Sequence, residues 1–287
     1  MNMVATERFL AWNGVRLSIA ASWEPRVAGP RHLILEEDFQ PLLQLRWYKA
    51  SDGSSRESMG LAAALAKQGE TAGMQSDWST PWRQLESMFQ VHAFAAGKDG
   101  TPSGGAFSCP QCHTIFHFQL FPDKLIVGRA IAESLATLSC HDHDDDLWRI
   151  QDFSLSLPPG FDLVDYSFAA GLTRLSFRAG KLHLAAARLA PADERLKHQS
   201  LAGILLAQAG VDGLQIRAED DPNTCEAFRI PHFFNRLVLR LRGDRPFVQA
   251  RICHDPACNR LLSLILSGTR PLPAGLLEEI AEHYATV

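Results

Sequence analysis

The sequence predicts an α+β fold made of two homologous modules, each an antiparallel sheet covered by helices, with the modules related by a pseudo-twofold axis. Three observations lead to this prediction. The chain has 287 residues, which suits two domains of ordinary size. Short motifs recur in the same order in both halves. In each half, alternating apolar segments typical of strands precede segments that carry helix signals.

The repeat is clearest at the end of each half. Residues 131–138, IAESLATL, match residues 280–287, IAEHYATV, at five of eight positions. Three further matches occur in the same order in the two halves, and the last of them is a pair of cysteines. They are Leu17-Ser-Ile19 with Leu155-Ser-Leu157, Leu45-Arg-Trp47 with Leu175-Ser-Phe177, and Cys109/Cys112 with Cys253/Cys258. This shared order predicts a tandem duplication, with modules over 8–138 and 148–287 and an acidic linker over 139–147.

The elements follow from periodicity and from helix signals. In the first module we expect strands over 15–19 and 114–121, and helices over 59–67, 82–90 and 125–138. In the second module we expect strands over 153–157, 163–168, 172–177, 182–188, 237–242, 247–252 and 261–266, and helices over 192–209 and 274–286. The helix over 192–209 has Pro191 before it, two acidic residues in its first turn and Gly210 at its end, which is the expected polarity.

One sequence segment indicates a known architecture. The segment Phe153–Phe161, with the sequence FSLSLPPGF, and more weakly Val15–Pro25, resemble the strand and turn that open Mog1/PsbP-like α/β/α sandwiches. The resemblance implies an antiparallel sheet covered by helices, and a role in binding partners, as in nuclear-transport accessory and photosystem-associated proteins. It assigns no catalytic or binding residue to this chain.

Composition excludes several classes of function. The chain has 28 basic and 32 acidic residues, a net charge of −4, whereas a nucleic-acid-binding surface is basic. No apolar stretch approaches the ~20 residues of a membrane span, and the first ten residues lack the pattern of a signal peptide. We therefore expect a cytoplasmic protein, in which six cysteines are reduced thiols or metal ligands.

The cysteine pairs carry the most specific chemistry. Cys109 and Cys112 form a CxxC motif, and Cys253 and Cys258 form a CxxxxC pair at the equivalent place in the second half. Two thiolates at such spacing can bind one zinc ion from a tight turn. We predict a single structural zinc site, formed by these four cysteines, that links the two modules and couples metal binding to folding.

Other interpretations of these residues stay open. The cysteines could be buried apolar side chains or a redox pair, and Cys109–His113 matches the haem-attachment pattern CxxCH. His113 or His254 could replace a thiolate. Cys140, His141 and His143 in the linker could bind a metal, although charged linkers are more often simply solvated.

The sequence favours a non-enzymatic adaptor or binding protein with an unidentified protein partner, and with neither nucleic acid nor membrane as a partner. Short motifs of hydrolases, metalloproteases and nucleotide-binding enzymes are missing from the sequence. The alternative is an enzyme or a small-ligand-binding protein with its site in the inter-module cleft. Its candidate residues are His113, His117 and His254, with Cys225 and His232 as a weaker pair.

Overall fold

A computed structural model describes residues 7–49, 80–95, 102–121, 125–141, 145–217, 221–231 and 245–287. The chain divides into two compact units. The first unit comprises Met1–Asp144 and Trp148–Gln151, and the second comprises Asp145–Leu147 and Asp152–Val287. Within the described ranges, no helix has the length and apolar character required to cross a membrane.

The described residues of the first unit form a six-stranded antiparallel sheet and two helices. A hairpin of β1 and β2 precedes the sheet, whose strand order is β3-β4-β5-β8-β7-β6. The elements in chain order are β1 (Glu7–Trp12), β2 (Val15–Ala20), β3 (Glu24–Gly29), β4 (His32–Glu37), β5 (Gln40–Tyr48), α1 (Thr80–Met88), β6 (Gln90–Ala95), β7 (Gly104–Ser108), β8 (Ile115–Leu120) and α2 (Leu125–Leu135).

Aromatic rings fill one side of this sheet. Trp82 of α1 stacks on Phe118 of β8 with 5.6 Å between ring centroids, and Phe107 stacks on Phe116 at 5.2 Å. All four side chains are buried. Each such pair contributes about 0.5–1.5 kcal/mol beyond the area that it buries, so these contacts fix β7 and β8 against α1.

The described residues of the second unit form a seven-stranded antiparallel sheet of order β11-β12-β13-β17-β16-β15-β14, and a shorter pairing of β10 with β18. Its elements follow β9 (Asp146–Ile150), whose Arg149 pairs with Ala11 in the first unit's hairpin. In chain order they are β10 (Phe153–Leu157), β11 (Asp162–Ala169), β12 (Leu172–Ala179), β13 (Leu182–Leu189), α3 (Ala192–Leu196), α4 (Leu201–Ala209), β14 (Gln215–Arg217), β15 (Thr224–Arg229), β16 (Phe247–Asp255), β17 (Arg260–Gly268), α5 (Leu276–Glu282) and β18 (Tyr284–Thr286).

Helix α4 covers part of this sheet. Its Ile204 and Leu205 pack with Ala227, Ala250 and Ile252 of β15 and β16 in one buried cluster. These side chains alternate along their strands, as expected where one face of a strand is covered. Strand β16 also contacts α5, so two of the described helices pack on this sheet.

The predicted α+β class with helices covering the sheets is wrong, because the protein is β-rich: eighteen strands and five helices occur among the described residues. The long helix expected over 192–209 is two short helices. Ser200 interrupts it, since its hydroxyl accepts a hydrogen bond from the Gly203 amide at 3.1 Å and so starts a new helix. The closing helix ends at Glu282, and β18 follows it.

The remaining differences between the predicted and the observed secondary structure concern strands. The sequence predicts no strand range for β3 to β7 in the first unit or for β14 and β15 in the second, although all of them belong to the two large sheets. The expected strands over 15–19, 153–157, 163–168, 172–177, 182–188, 247–252 and 261–266 are present. The expected helix over 59–67 and strand over 237–242 lie outside the described residues.

Candidate metal centre

Four side chains of the first unit form a cluster that could hold a metal ion. They are Cys109, Cys112, Cys140 and His141, and their ligand atoms all lie within 4.8 Å of one another. Cys109 is buried, and the other three are partly buried. Among the described residues, no other group of three or more cysteine, histidine or carboxylate side chains is gathered in this way.

The hairpin between β7 and β8 supplies the first two ligands. The Cys109 amide donates to the Thr114 carbonyl at 2.9 Å, and the His113 amide donates to the Cys109 carbonyl at 3.0 Å. His113 takes a left-handed conformation with φ of 56°, which closes the tight turn. The turn therefore brings Cys109 and Cys112 to the same side of the hairpin, as the CxxC spacing predicts.

The segment after α2 supplies the other two ligands. Ser139 pairs with Arg16 of β2 through two backbone hydrogen bonds of 2.8 Å. The end of α2 is tied to the same strand, because the Ser18 amide donates to the Thr137 hydroxyl at 2.8 Å and Ser134 donates to the Ser18 carbonyl. These bonds position the chain immediately before Cys140 and His141.

The distances in the cluster suit a metal site. Cys109 Sγ lies 3.3 Å from His141 Nδ1, and Cys112 Sγ lies 3.4 Å from Cys140 Sγ. Ligand atoms of a tetrahedral zinc site are about 3.5–3.8 Å apart, given zinc–sulfur and zinc–nitrogen bonds near 2.3 and 2.0 Å. A disulfide would require a sulfur–sulfur distance near 2.05 Å. The cluster is therefore close to metal-site dimensions, with all of its cysteines free.

The thiols of the cluster differ in acidity. Burial alone would raise the pKa of Cys112, but hydrogen bonds with Thr114 and with the neighbouring cysteines outweigh burial and lower it from 9.0 to about 7. Burial and the neighbouring thiols raise the pKa of Cys140 well above its ordinary value. A metal that binds all three sulfurs as thiolates must therefore displace protons, so its affinity falls at low pH.

Cys109 and Cys112, two of the four predicted zinc ligands, belong to this cluster. The other two, Cys253 and Cys258, lie at the hairpin between β16 and β17 in the second unit. Cys253 contacts the Thr224 hydroxyl at 4.0 Å, and Cys258 is exposed. A four-cysteine site shared by the two pairs stays a prediction.

The other predicted residues are dispersed. His113 is exposed in its turn, and Cys225 is buried in the cluster beneath α4. His117 is buried on β8, where desolvation, together with His92 and Arg46, lowers its pKa to about 4. Two predicted residues, His143 and His232, lie outside the described residues, and His254 is partly buried on β16.

The sequence names Cys140 and His141 as possible metal ligands within the linker, but it does not join them to Cys109 and Cys112 in one site. The signal was the residue types themselves, since cysteine and histidine, as found at 140 and 141, are the usual ligands of structural zinc. Spacing along the chain could not reveal that the backbone pairing of Ser139 with Arg16 carries them to the β7–β8 hairpin.

Comparisons with known proteins assign no family to the chain: no protein-family model matches it, and no curated protein matches it significantly. The resemblance to Mog1/PsbP-like sandwiches therefore stays a prediction.

Proposed function

We propose that the first unit holds one structural zinc ion through Cys109, Cys112, Cys140 and His141, within a non-enzymatic protein that binds another protein. The observation that carries the zinc proposal is the gathering of four ligand atoms within 4.8 Å of one another. Three sulfur ligands and one nitrogen ligand are typical of structural zinc sites.

The ligand set argues for a structural role. Four protein ligands complete the tetrahedral shell of zinc and leave no position open for a substrate or a water molecule. The ion would cross-link the β7–β8 hairpin to the segment after α2, two parts of the chain that are distant in sequence. Such a link stabilises the folded unit by the free energy of metal binding.

Open sheet edges support the binding role. In the described part of the chain, β3 and β6 end the six-stranded sheet, and β11 and β14 end the seven-stranded sheet. An edge strand presents unpaired backbone groups to which an extended segment of another protein can add. The proposal includes a cytoplasmic location, because thiolate ligands persist in a reducing compartment.

Strand order supports the proposed duplication. Each sheet begins with three consecutive antiparallel strands, and the third of these pairs with the strand of the sheet that comes last along the chain. These pairs are β5 with β8 and β13 with β17. The repeated segments over 131–138 and 280–287 begin near the ends of α2 and α5. The two cysteine pairs lie in the hairpins β7–β8 and β16–β17, which are formed by the last two strands of each sheet in chain order. The match of Leu45–Trp47 with Leu175–Phe177 fails on this criterion, because the former lies in a third strand and the latter in a second strand.

The test is the metal content of the purified full chain and of single variants, measured by mass spectrometry. We expect about one zinc per chain. Cys140→Ala and Cys112→Ala should lose it, whereas Cys253→Ala and Cys258→Ala are the matched controls and should retain it.

Loss of zinc from the Cys253→Ala variant together with retention in Cys140→Ala would instead support the four-cysteine site shared by the two cysteine pairs. A properly folded native chain that contains no zinc and takes up none on addition would contradict both.

A further inference from the structure

A cavity of about 320 Å³ lies in the second unit, lined by residues of β14, β15, β16, α5 and the turn before α5. Its walls are mainly apolar, with Phe228, Phe247 and Val248 contributed by the sheet and Leu272 and Leu277 by the other side. This volume lies near the lower end of the range for small-molecule pockets, about 300–1,000 Å³.

Three charged residues of the lining already have partners. The Glu226 carboxylate accepts from Arg217 and from Arg251, each at 3.3 Å. The Arg217 guanidinium also lies over the Phe228 ring, 5.8 Å from its centroid. Arg229 donates to three backbone carbonyls at 2.9–3.2 Å. The negative charge of Glu226 and part of the donor capacity of the two arginines are therefore already used.

Two acceptors of the lining lack partners. Glu278 Oε2 and Gln249 Oε1 are shielded from solvent and have no hydrogen-bond partner in the described part of the chain. A shielded acceptor without a donor is unfavourable, and a carboxylate more so than an amide. The terminal torsions of glutamate and glutamine are broad and roughly twofold, so either oxygen can adjust to a donor placed in the cavity.

We propose that this cavity binds an organic cation, an ammonium or guanidinium group carried on an apolar chain or ring. The cationic N–H groups would donate to Glu278 and Gln249, forming charge-assisted hydrogen bonds. The apolar part would contact Phe247 and Leu277. The cation comes either from a free amine or from a lysine or arginine side chain of another polypeptide.

The same groups disfavour other ligands. An anion would face two acceptors while the arginines of the lining stay engaged with Glu226 and with backbone carbonyls. A neutral hydrocarbon would fill the apolar space but leave Glu278 and Gln249 without donors. Charge and donor capacity therefore define the ligand class more sharply than shape does. The proposal is independent of the metal centre.

The experiment titrates the full chain with three probes of similar shape, followed by protein-observed NMR: 2-phenylethylamine, 2-phenylethanol and 3-phenylpropionate. We expect the amine to bind at least about 10-fold more tightly than the alcohol, since the cation gains charge-assisted bonds that a neutral donor lacks. The carboxylate should not bind.

Variants then locate the binding. Glu278→Gln keeps the side-chain volume and removes the charge, and should weaken amine binding by about 10-fold. Glu279→Gln is the matched control, because Glu279 is the next residue of α5, is exposed and does not line the cavity. Gln249→Met, which removes the other acceptor, gives a second test if Glu278→Gln does not fold.

Short peptides with one lysine or one arginine distinguish the two sources of the cation. Binding of the amine alone supports a free amine, and tighter binding of a peptide supports a polypeptide side chain. Equal binding of all three phenyl probes would overturn the proposal. So would the failure of every cationic probe to bind, or unchanged amine affinity in both folded variants.

Discussion

At the scale of single residues, Asp152 is the clearest electrostatic anchor of the second unit. Its carboxylate accepts hydrogen bonds from Arg188 and from Arg260, the latter at 2.8 Å, and its backbone carbonyl accepts from the Val287 amide at 3.1 Å. Burial would raise the pKa of Asp152, but the two guanidinium groups outweigh it and hold the pKa below the ordinary value of 3.8.

We predict that Asp152→Asn destabilises the protein by about 1–2 kcal/mol at pH 7, because two partly buried guanidinium groups lose their anion. Since folding lowers this pKa, the carboxylate contributes its full stability above the unfolded pKa of 3.8 and loses it as the pH falls through the folded pKa. Denaturant unfolding of both proteins from pH 7 to pH 3 measures the difference, which should shrink below about pH 4.

Asp162→Asn is the control, since Asp162 is exposed at the start of β11, and its substitution should change stability by less than about 0.5 kcal/mol. A difference between Asp152→Asn and the native protein that stays constant down to pH 3 would contradict the assigned role of the carboxylate.

The residue scale is also where sequence prediction of the site was half successful. CxxC spacing identified Cys109 and Cys112 because both ligands come from one turn, a local property. Cys140 and His141 join them through the pairing of Ser139 with β2, a long-range contact that leaves no local spacing pattern. The unpaired acceptor of Glu278 is likewise invisible in sequence, since its isolation depends on neighbours from three strands.

At the scale of elements, hairpin turns help to determine the register of the seven-stranded sheet. Gly171 joins β11 to β12 with φ of +72°, and a Cβ at this position would lie 2.4 Å from the Ala190 carbonyl oxygen. That close approach accompanies a hydrogen bond from the Ala190 amide to the Gly171 carbonyl at 2.9 Å. Gly180 joins β12 to β13 with φ of +56°, but a Cβ there meets nothing within 4 Å.

The two glycines therefore make a matched pair. Gly180→Ala should cost about 1–2 kcal/mol, the penalty of a left-handed conformation for an L residue. Gly171→Ala should cost about 1–3 kcal/mol more, because the backbone must also move away from the Ala190 oxygen. Thermal or denaturant unfolding measures both; equal losses of stability would show that the close approach to Ala190 has no energetic importance.

The strands that the sequence predicts share one physical feature. Alternation of apolar residues is local and strong in β2, β10 and β12, where one face of the strand is buried. The prediction of one helix over 192–209 was wrong because helix signals are present on both sides of Ser200. The sequence pattern does not show that these signals belong to two separate helices. Tyr284–Thr286 continued the apolar pattern of α5 but pairs with β10.

At the scale of the whole molecule, all four ligands of the proposed zinc belong to the first unit. Removal of the metal with a soluble chelator should therefore raise amide exchange at residues 109–114 and 125–141, which the ion joins. The seven-stranded sheet of the second unit should keep its protection. Hydrogen exchange followed by mass spectrometry tests this, and an equal increase in the seven-stranded sheet would contradict it.

The proposed zinc ion has three sulfur ligands and one nitrogen ligand. X-ray absorption at the zinc edge of the purified full chain measures this coordination directly. We expect three sulfur neighbours near 2.3 Å and one histidine nitrogen at about 2.0–2.1 Å. Four sulfur neighbours, or a shell of oxygen and nitrogen alone, would contradict it.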